Sequence, residues 1–175
     1  MVFLVGKVKV RIDASFFLML SAAALLKIQS LLLVLLFSSL HELGHITALY
    51  ILGGRAGEIN ISFYGIGLKH GARFNKAREI IFLIGGCAVN LILALSGIYP
   101  EINFALFVIN ILPIYPLDGG RIAKLLFGIK NERLFTYFSF TLLIGLAAFS
   151  VFKHSLNLLM ITVYLALFAL NEVFR

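Results

Sequence analysis

Two histidines four residues apart, His41 and His45, bracket Glu42 inside an apolar stretch that runs from SLLLVLLFSSL to ITALYIL. On a helix both imidazoles project from one face, so they can close on a single tetrahedral ion. Glu42 is turned aside by roughly 100° and is poorly placed to share that bond. Its natural work is to accept a proton from a water that the ion activates for attack on a carbonyl. Gly44, lacking a side chain, leaves room for a second backbone or a substrate. A glutamate near the middle of a bilayer helix costs about 2.5 to 3.5 kcal/mol on insertion scales. The plain alternative is a pair of histidines in interhelical hydrogen bonds with Glu42 beside a cation; the H-E-x-x-H spacing favours the metal.

Two histidines leave zinc one protein ligand short of a usual catalytic shell. Of the eight carboxylates, Asp118 is the one besides Glu42 at the end of an apolar span on the appropriate side, with Glu79 and His70 as weaker candidates. Asp118 lies in NILPIYPLDGGR, where Pro113, Pro116, Gly119 and Gly120 argue against a continuous helix. Broken backbone at membrane depth is tolerated where it lines a cavity or is buried in protein. The spans bearing His45 and Asp118 run in the same direction, and topology brings both to a similar depth. Asn110, about two helical turns before Asp118, can donate to a scissile carbonyl, hold substrate backbone or bond a neighbouring helix. Asn90, in IGGCAVNLIL, reads as a helix-to-helix hydrogen-bonding residue or a site-lining amide, with Gly85 and Gly86 permitting close packing.

These residues must be positioned by membrane helices. The chain is 61% hydrophobic and 13% charged, against about 25% charged in soluble domains, and its mean hydropathy is +1.04. Apolar spans fall at about 14–26, 30–52, 80–98, 102–117, 134–152 and 155–172. The expected fold is an all-α membrane bundle of about six transmembrane helices, forming one domain over residues 1–175. Under this division only Lys27 and Lys153, of fifteen basic residues, lie on one side, which places both termini in the cytoplasm of a multi-pass cell-membrane protein. The net charge of +7 therefore reads as a topology signal; without a basic run, it does not imply nucleic acid. Residues 7–27 also fit a signal peptide, with small residues at Ala22 to Ala24. The single cysteine, Cys87, reads as a packing residue and leaves the redox compartment open.

Between Glu58 and Phe74 the pattern changes. Ile59, Ile61 and Phe63 alternate with Asn60, Ser62 and Tyr64, and glycines follow at 65, 67 and 71. This predicts a short membrane-associated β-hairpin, a plain connection or an edge to which an extended substrate adds as a strand.

The HELGH span followed by NILPIYPLDGGR resembles the site-2 protease family of intramembrane zinc metalloproteases over essentially the whole chain. The PIYPLDGGR form is most similar to the stage IV sporulation FB branch. The resemblance implies one Zn2+ per chain held by His41, His45 and Asp118, with Glu42 as catalytic base; Asn110 and Pro116 match the family's fourth-span motif. It further implies a membrane-associated protein substrate within the lipid bilayer, such as a transcription-factor precursor, and an inhibitory membrane-protein partner. Two features depart from the pattern. The third span reads GGCAVN where many members carry a proline, and no PDZ-like or CBS-like region precedes Arg175, which suggests control by partner proteins or a trimmed catalytic core. Sequence leaves the oligomeric state open. The rival classes are a zinc or proton-coupled transporter and a catalytically idle membrane adaptor; no internal repeat or second ionisable cluster favours the transporter.

Overall fold

In a computed structural model of the chain, the described residues are 1–5, 8–25, 29–62, 65–115, 117–128 and 132–154, with a few further positions between 162 and 170. Ten elements follow in order. They are β1 (Val2–Val5), β2 (Val8–Ile12), α1 (Ala14–Leu25), α2 (Gln29–Ile51), β3 (Ala56–Ser62), β4 (Gly65–His70), α3 (Lys76–Leu95), α4 (Pro100–Ile111), α5 (Asp118–Phe127) and α6 (Glu132–Phe152). They divide into two compact units, Met1–Val108 and Ile109–Arg175.

The expected hairpin exists as β3 and β4, with Ile59 opposite Leu68 and Ile61 opposite Ile66. It is half of a larger element, which corrects the all-α description: β1–β2–β3–β4 form a four-stranded mixed sheet. β1 and β2 are antiparallel, whereas β2 runs parallel to β3 with Val10 opposite Ile59. A parallel pair requires a long crossover, and α1 and α2 supply it. Along VKVRI the even positions are half-buried and Lys9 and Arg11 are exposed. Arg11 Nε lies 3.5 Å from Glu58 on the adjacent strand. These cations, part of the charge that reads in sequence as a topology signal, stand on the exposed face of a strand.

The helices also modify the expected six spans. Among the described residues, three are long and apolar enough to cross a membrane, over Leu32–Ile51, Lys76–Leu95 and Phe135–Phe152. Apolar side chains such as Leu43, Ile51, Ile84, Ile92 and Ile144 are exposed on them, as expected of helices whose outer faces meet lipid. α4 has 12 residues, about 18 Å at 1.5 Å per residue, against about 30 Å of hydrocarbon. Pro100 begins it at a position that needs no N–H. It stops at Ile111 rather than continuing to 117, and α5 begins at Asp118 in what read as a loop. The expected last span, 155–172, lies largely outside the described residues.

In the first unit α2 packs on α3, with Phe37, Leu49, Phe82, Leu83 and Cys87 buried. α3 starts at Asn75, whose side chain caps the Arg78 amide at 2.9 Å, and Glu79 lies in its first turn, where a negative charge suits the helix dipole. Gly44 and Gly85 let the two backbones touch: a Cβ on Gly85 would sit 2.8 Å from the Gly44 carbonyl oxygen, and one on Gly44 would strike that of Gly85. Of the two occupants the sequence allowed beside Gly44, the structure selects a backbone. In the second unit Ile114, Leu117 and Leu143 form the core, with Ile109, Leu112 and Phe140 against them.

Candidate metal centre

α2 is an apolar helix carrying a polar stripe. Two of its hydroxyls are satisfied locally, Ser39 donating to the Leu35 carbonyl at 2.8 Å and Thr47 to that of Leu43 at 2.7 Å. His41 and His45, on the face toward α3, are 5% and 4% exposed. The four-residue spacing stacks them as expected, with ring centroids 4.7 Å apart and planes at 83°. Glu42 is half-buried. One ligand atom from each of His41, Glu42 and His45 falls within 4.8 Å of the others, and among the described residues this is the group of side chains able to hold a metal. Glu79, the weaker alternative, stands outside it, and His70 is the last residue of β4.

The hydrogen bonds behind the rings decide where their protons sit. His45 Nδ1 is 2.9 Å from the carbonyl oxygen of Phe82. A carbonyl only accepts, so Nδ1 carries the proton and donates. The Phe82 ring also packs on that imidazole, with centroids 5.3 Å apart. His41 Nδ1 is 2.7 Å from Asn90 Oδ1, again an acceptor, and donates likewise. Each neutral ring then presents its Nε2 lone pair, and the two Nε2 atoms face each other at 3.1 Å. Two lone pairs at that distance repel unless a cation lies between them. Two nitrogens at 2.0–2.1 Å from a tetrahedral zinc lie about 3.3 Å apart, so the pair fits the ion closely.

Gly86 completes the cradle. A Cβ there would come 2.7 Å from His41 Nε2 and collide with His45 Nε2. The space beside both lone pairs exists because α3 has no side chain at that point. Asn90 is fully buried. It is both things the sequence offered, an interhelical hydrogen-bonding residue and a group at the site. Asn103, which no motif in the sequence singles out, is also fully buried and accepts from Asn90 Nδ2 at 3.0 Å. Its sole signal is an amide within the apolar run INFALF.

In the second unit Asp118 is 8% exposed and opens α5. A carboxylate there faces the positive end of the helix dipole. The backbone from Leu112 to Tyr115 is irregular, as Pro113 requires, and the Leu117 amide donates to the Ile114 carbonyl at 2.9 Å. Ser139 of α6 holds it, accepting from the Tyr115 amide at 2.9 Å and donating to the Phe135 carbonyl at 3.0 Å. Gly119 and Gly120 let α5 fold back on this segment: a Cβ on Gly119 would strike the Ile111 carbonyl, and one on Gly120 would sit 2.5 Å from that of Ile114. Asn110 is half-buried in the last turn of α4. Pro116 lies outside the described residues.

No family model and no curated protein matches the sequence. Among solved structures, the chain is similar to a Site-2 Protease from Methanocaldococcus jannaschii, with a TM-score of 0.72 and 20% sequence identity over 98% of this chain and 94% of that one. At that identity the likeness is one of fold.

Proposed function

We propose that the chain is an intramembrane zinc metalloprotease that hydrolyses a peptide bond of a membrane-associated protein. The observation that carries this reading is the histidine pair, whose hydrogen bonds leave both Nε2 lone pairs directed at one point with the Glu42 carboxylate beside it. Its place on an apolar helix, in a fold similar to that of a Site-2 Protease, supports the intramembrane setting. The transporter alternative is not favoured by that likeness.

His41 and His45 would hold the zinc, with Asp118 as the third ligand. When bound, the ion supplies a Lewis acid for the scissile carbonyl and makes a water easier to deprotonate. Glu42 takes the proton as that water attacks and returns it to the departing amine. Asn110 steadies the oxyanion or the substrate backbone. On this reading residues 1–175 are a single transmembrane metalloprotease domain of a multi-pass cell-membrane protein with both termini cytoplasmic, in keeping with the distribution of basic residues. β4, at one end of the strand order among the described residues, takes the substrate as an added strand. The resemblance of PIYPLDGGR to the sporulation branch suggests a membrane-bound transcription-factor precursor as substrate and an inhibitory membrane protein as partner.

Glu42→Gln tests the chemistry. The purified parent and variant are incubated in detergent with a panel of single-span membrane segments, and new termini are read by mass spectrometry. The variant is expected to fold and to lose about 10²- to 10⁴-fold in cleavage. Cleavage at the parental rate would remove Glu42 as the base.

A further inference from the structure

Asn103 is joined to His41 through Asn90, and the direction of the hydrogen bonds along that route begins with it. Its Nδ2 lies 2.8 Å from the Ile98 carbonyl oxygen and 3.3 Å from that of Tyr99. Backbone carbonyls only accept, so this end of the side chain is the amide nitrogen and the other is the oxygen. Tyr99 adopts a left-handed conformation, φ 41°, just before α4, and the carbonyls at the turn accept from a side chain one turn into the helix. The Asn103 oxygen meets Asn90 at 3.0 Å, which obliges Asn90 to donate there. The same Asn90 nitrogen reaches the Phe37 carbonyl at 3.4 Å, a longer and weaker bond. Asn90 is left with its oxygen toward His41 Nδ1, which must then carry the proton.

Three side chains on three helices thus form one polarised chain, anchored by backbone at its outer end. Turning Asn90 over would place its nitrogen against His41 and its oxygen against both the Asn103 oxygen and the Phe37 carbonyl. His41 would be offered a donor at Nδ1 and would move its proton to Nε2, removing the lone pair that a metal needs. Asn103, Asn90 and His41 are each at most 5% exposed, so the cost of a mismatched pair is not relieved by solvent.

We infer that Asn103 is a positioning residue: acting through Asn90, it sets the His41 tautomer with the Nε2 lone pair toward the metal. Asn103→Leu removes the acceptor while keeping an apolar side chain of similar bulk. Asn103→Asp keeps an acceptor toward Asn90 whether ionised or protonated. The tautomer is read by ¹⁵N NMR of the histidine rings in metal-free protein well above the ordinary imidazole pKa, and zinc affinity by competition with a chelating dye.

The parent should show His41 protonated at Nδ1. Asn103→Leu should shift it toward the Nε2-protonated form and weaken zinc by about 10- to 100-fold, whereas Asn103→Asp should keep the parental tautomer and the parental order of affinity. A parent protonated at Nε2 overturns the inference, even if the leucine variant fails to fold. So does a leucine variant with parental tautomer and affinity, or an aspartate variant as impaired as the leucine one. The affinity part rests on the proposed metal site and the tautomer part does not: a parent with the expected tautomer that binds no zinc overturns the function and leaves the relay standing.

Discussion

The two regions that the proposed function would bring to one metal, each described within its own unit, are built on opposite principles. In the first unit, regular helices supply everything: the four-residue repeat of α2 aligns His41 and His45, and α3 contributes Phe82, Gly86 and Asn90 from one stretch of its length. In the second, a single carboxylate is placed by breaking the chain. α4 ends at Ile111, the chain breaks at Pro113, and α5 starts again at Asp118. A helix presents pairs cheaply because its own geometry repeats. A lone group at a helix start needs its preceding backbone fixed by other means, here Ser139 and the close seating of Gly119 and Gly120. Both regions use glycine for close approach, but to different ends. Gly86 leaves space beside two imidazole nitrogens, whereas Gly119 and Gly120 let backbone press on backbone.

That difference predicts different failures. Gly86→Ala has the largest expected effect: a methyl against both Nε2 atoms should abolish zinc binding while the helical circular dichroism of the parent is retained. A variant that bound zinc normally would mean the cradle lies elsewhere. Gly119→Ala should act through stability, because the added Cβ meets the rigid Ile111 carbonyl; a loss of about 1–3 kcal/mol is expected, read as a lower unfolding midpoint in detergent. Ser139→Ala should act in the same direction but less, by about 1 kcal/mol, since it deprives the half-buried Tyr115 amide of its acceptor. If Ser139→Ala proved more damaging than Gly119→Ala, the hydrogen bond and not the glycine contact would be the main support of the broken segment.

The same contrast explains what could be read from sequence. The His41–His45 pair was legible because helical spacing alone defines it. The strands β3 and β4 were legible in the alternation of Ile59 and Ile61 with Asn60 and Ser62. β2 carries an equally regular alternation, Val8, Val10 and Ile12 against Lys9 and Arg11, but its partner lies beyond two intervening helices, and its cations had a sufficient meaning as topology signals. The break at Pro113 was visible, whereas the earlier end at Ile111 and the new helix at Asp118 depend on α5 seating against the chain before it. Asn103 was hidden for another reason. Its meaning lies in the direction of a chain of hydrogen bonds through Asn90 to His41, which no spacing rule on one segment reports.

The most direct test of the central claim is zinc content per chain in the purified protein and in three variants, His41→Ala, Asp118→Asn and Glu42→Gln. The account predicts about one zinc in the parent and in Glu42→Gln, and loss of the metal in the other two, because only those remove a ligand. A folded parent that binds no zinc, or an Asp118→Asn protein that retains it at the parental level, would contradict the three-ligand centre.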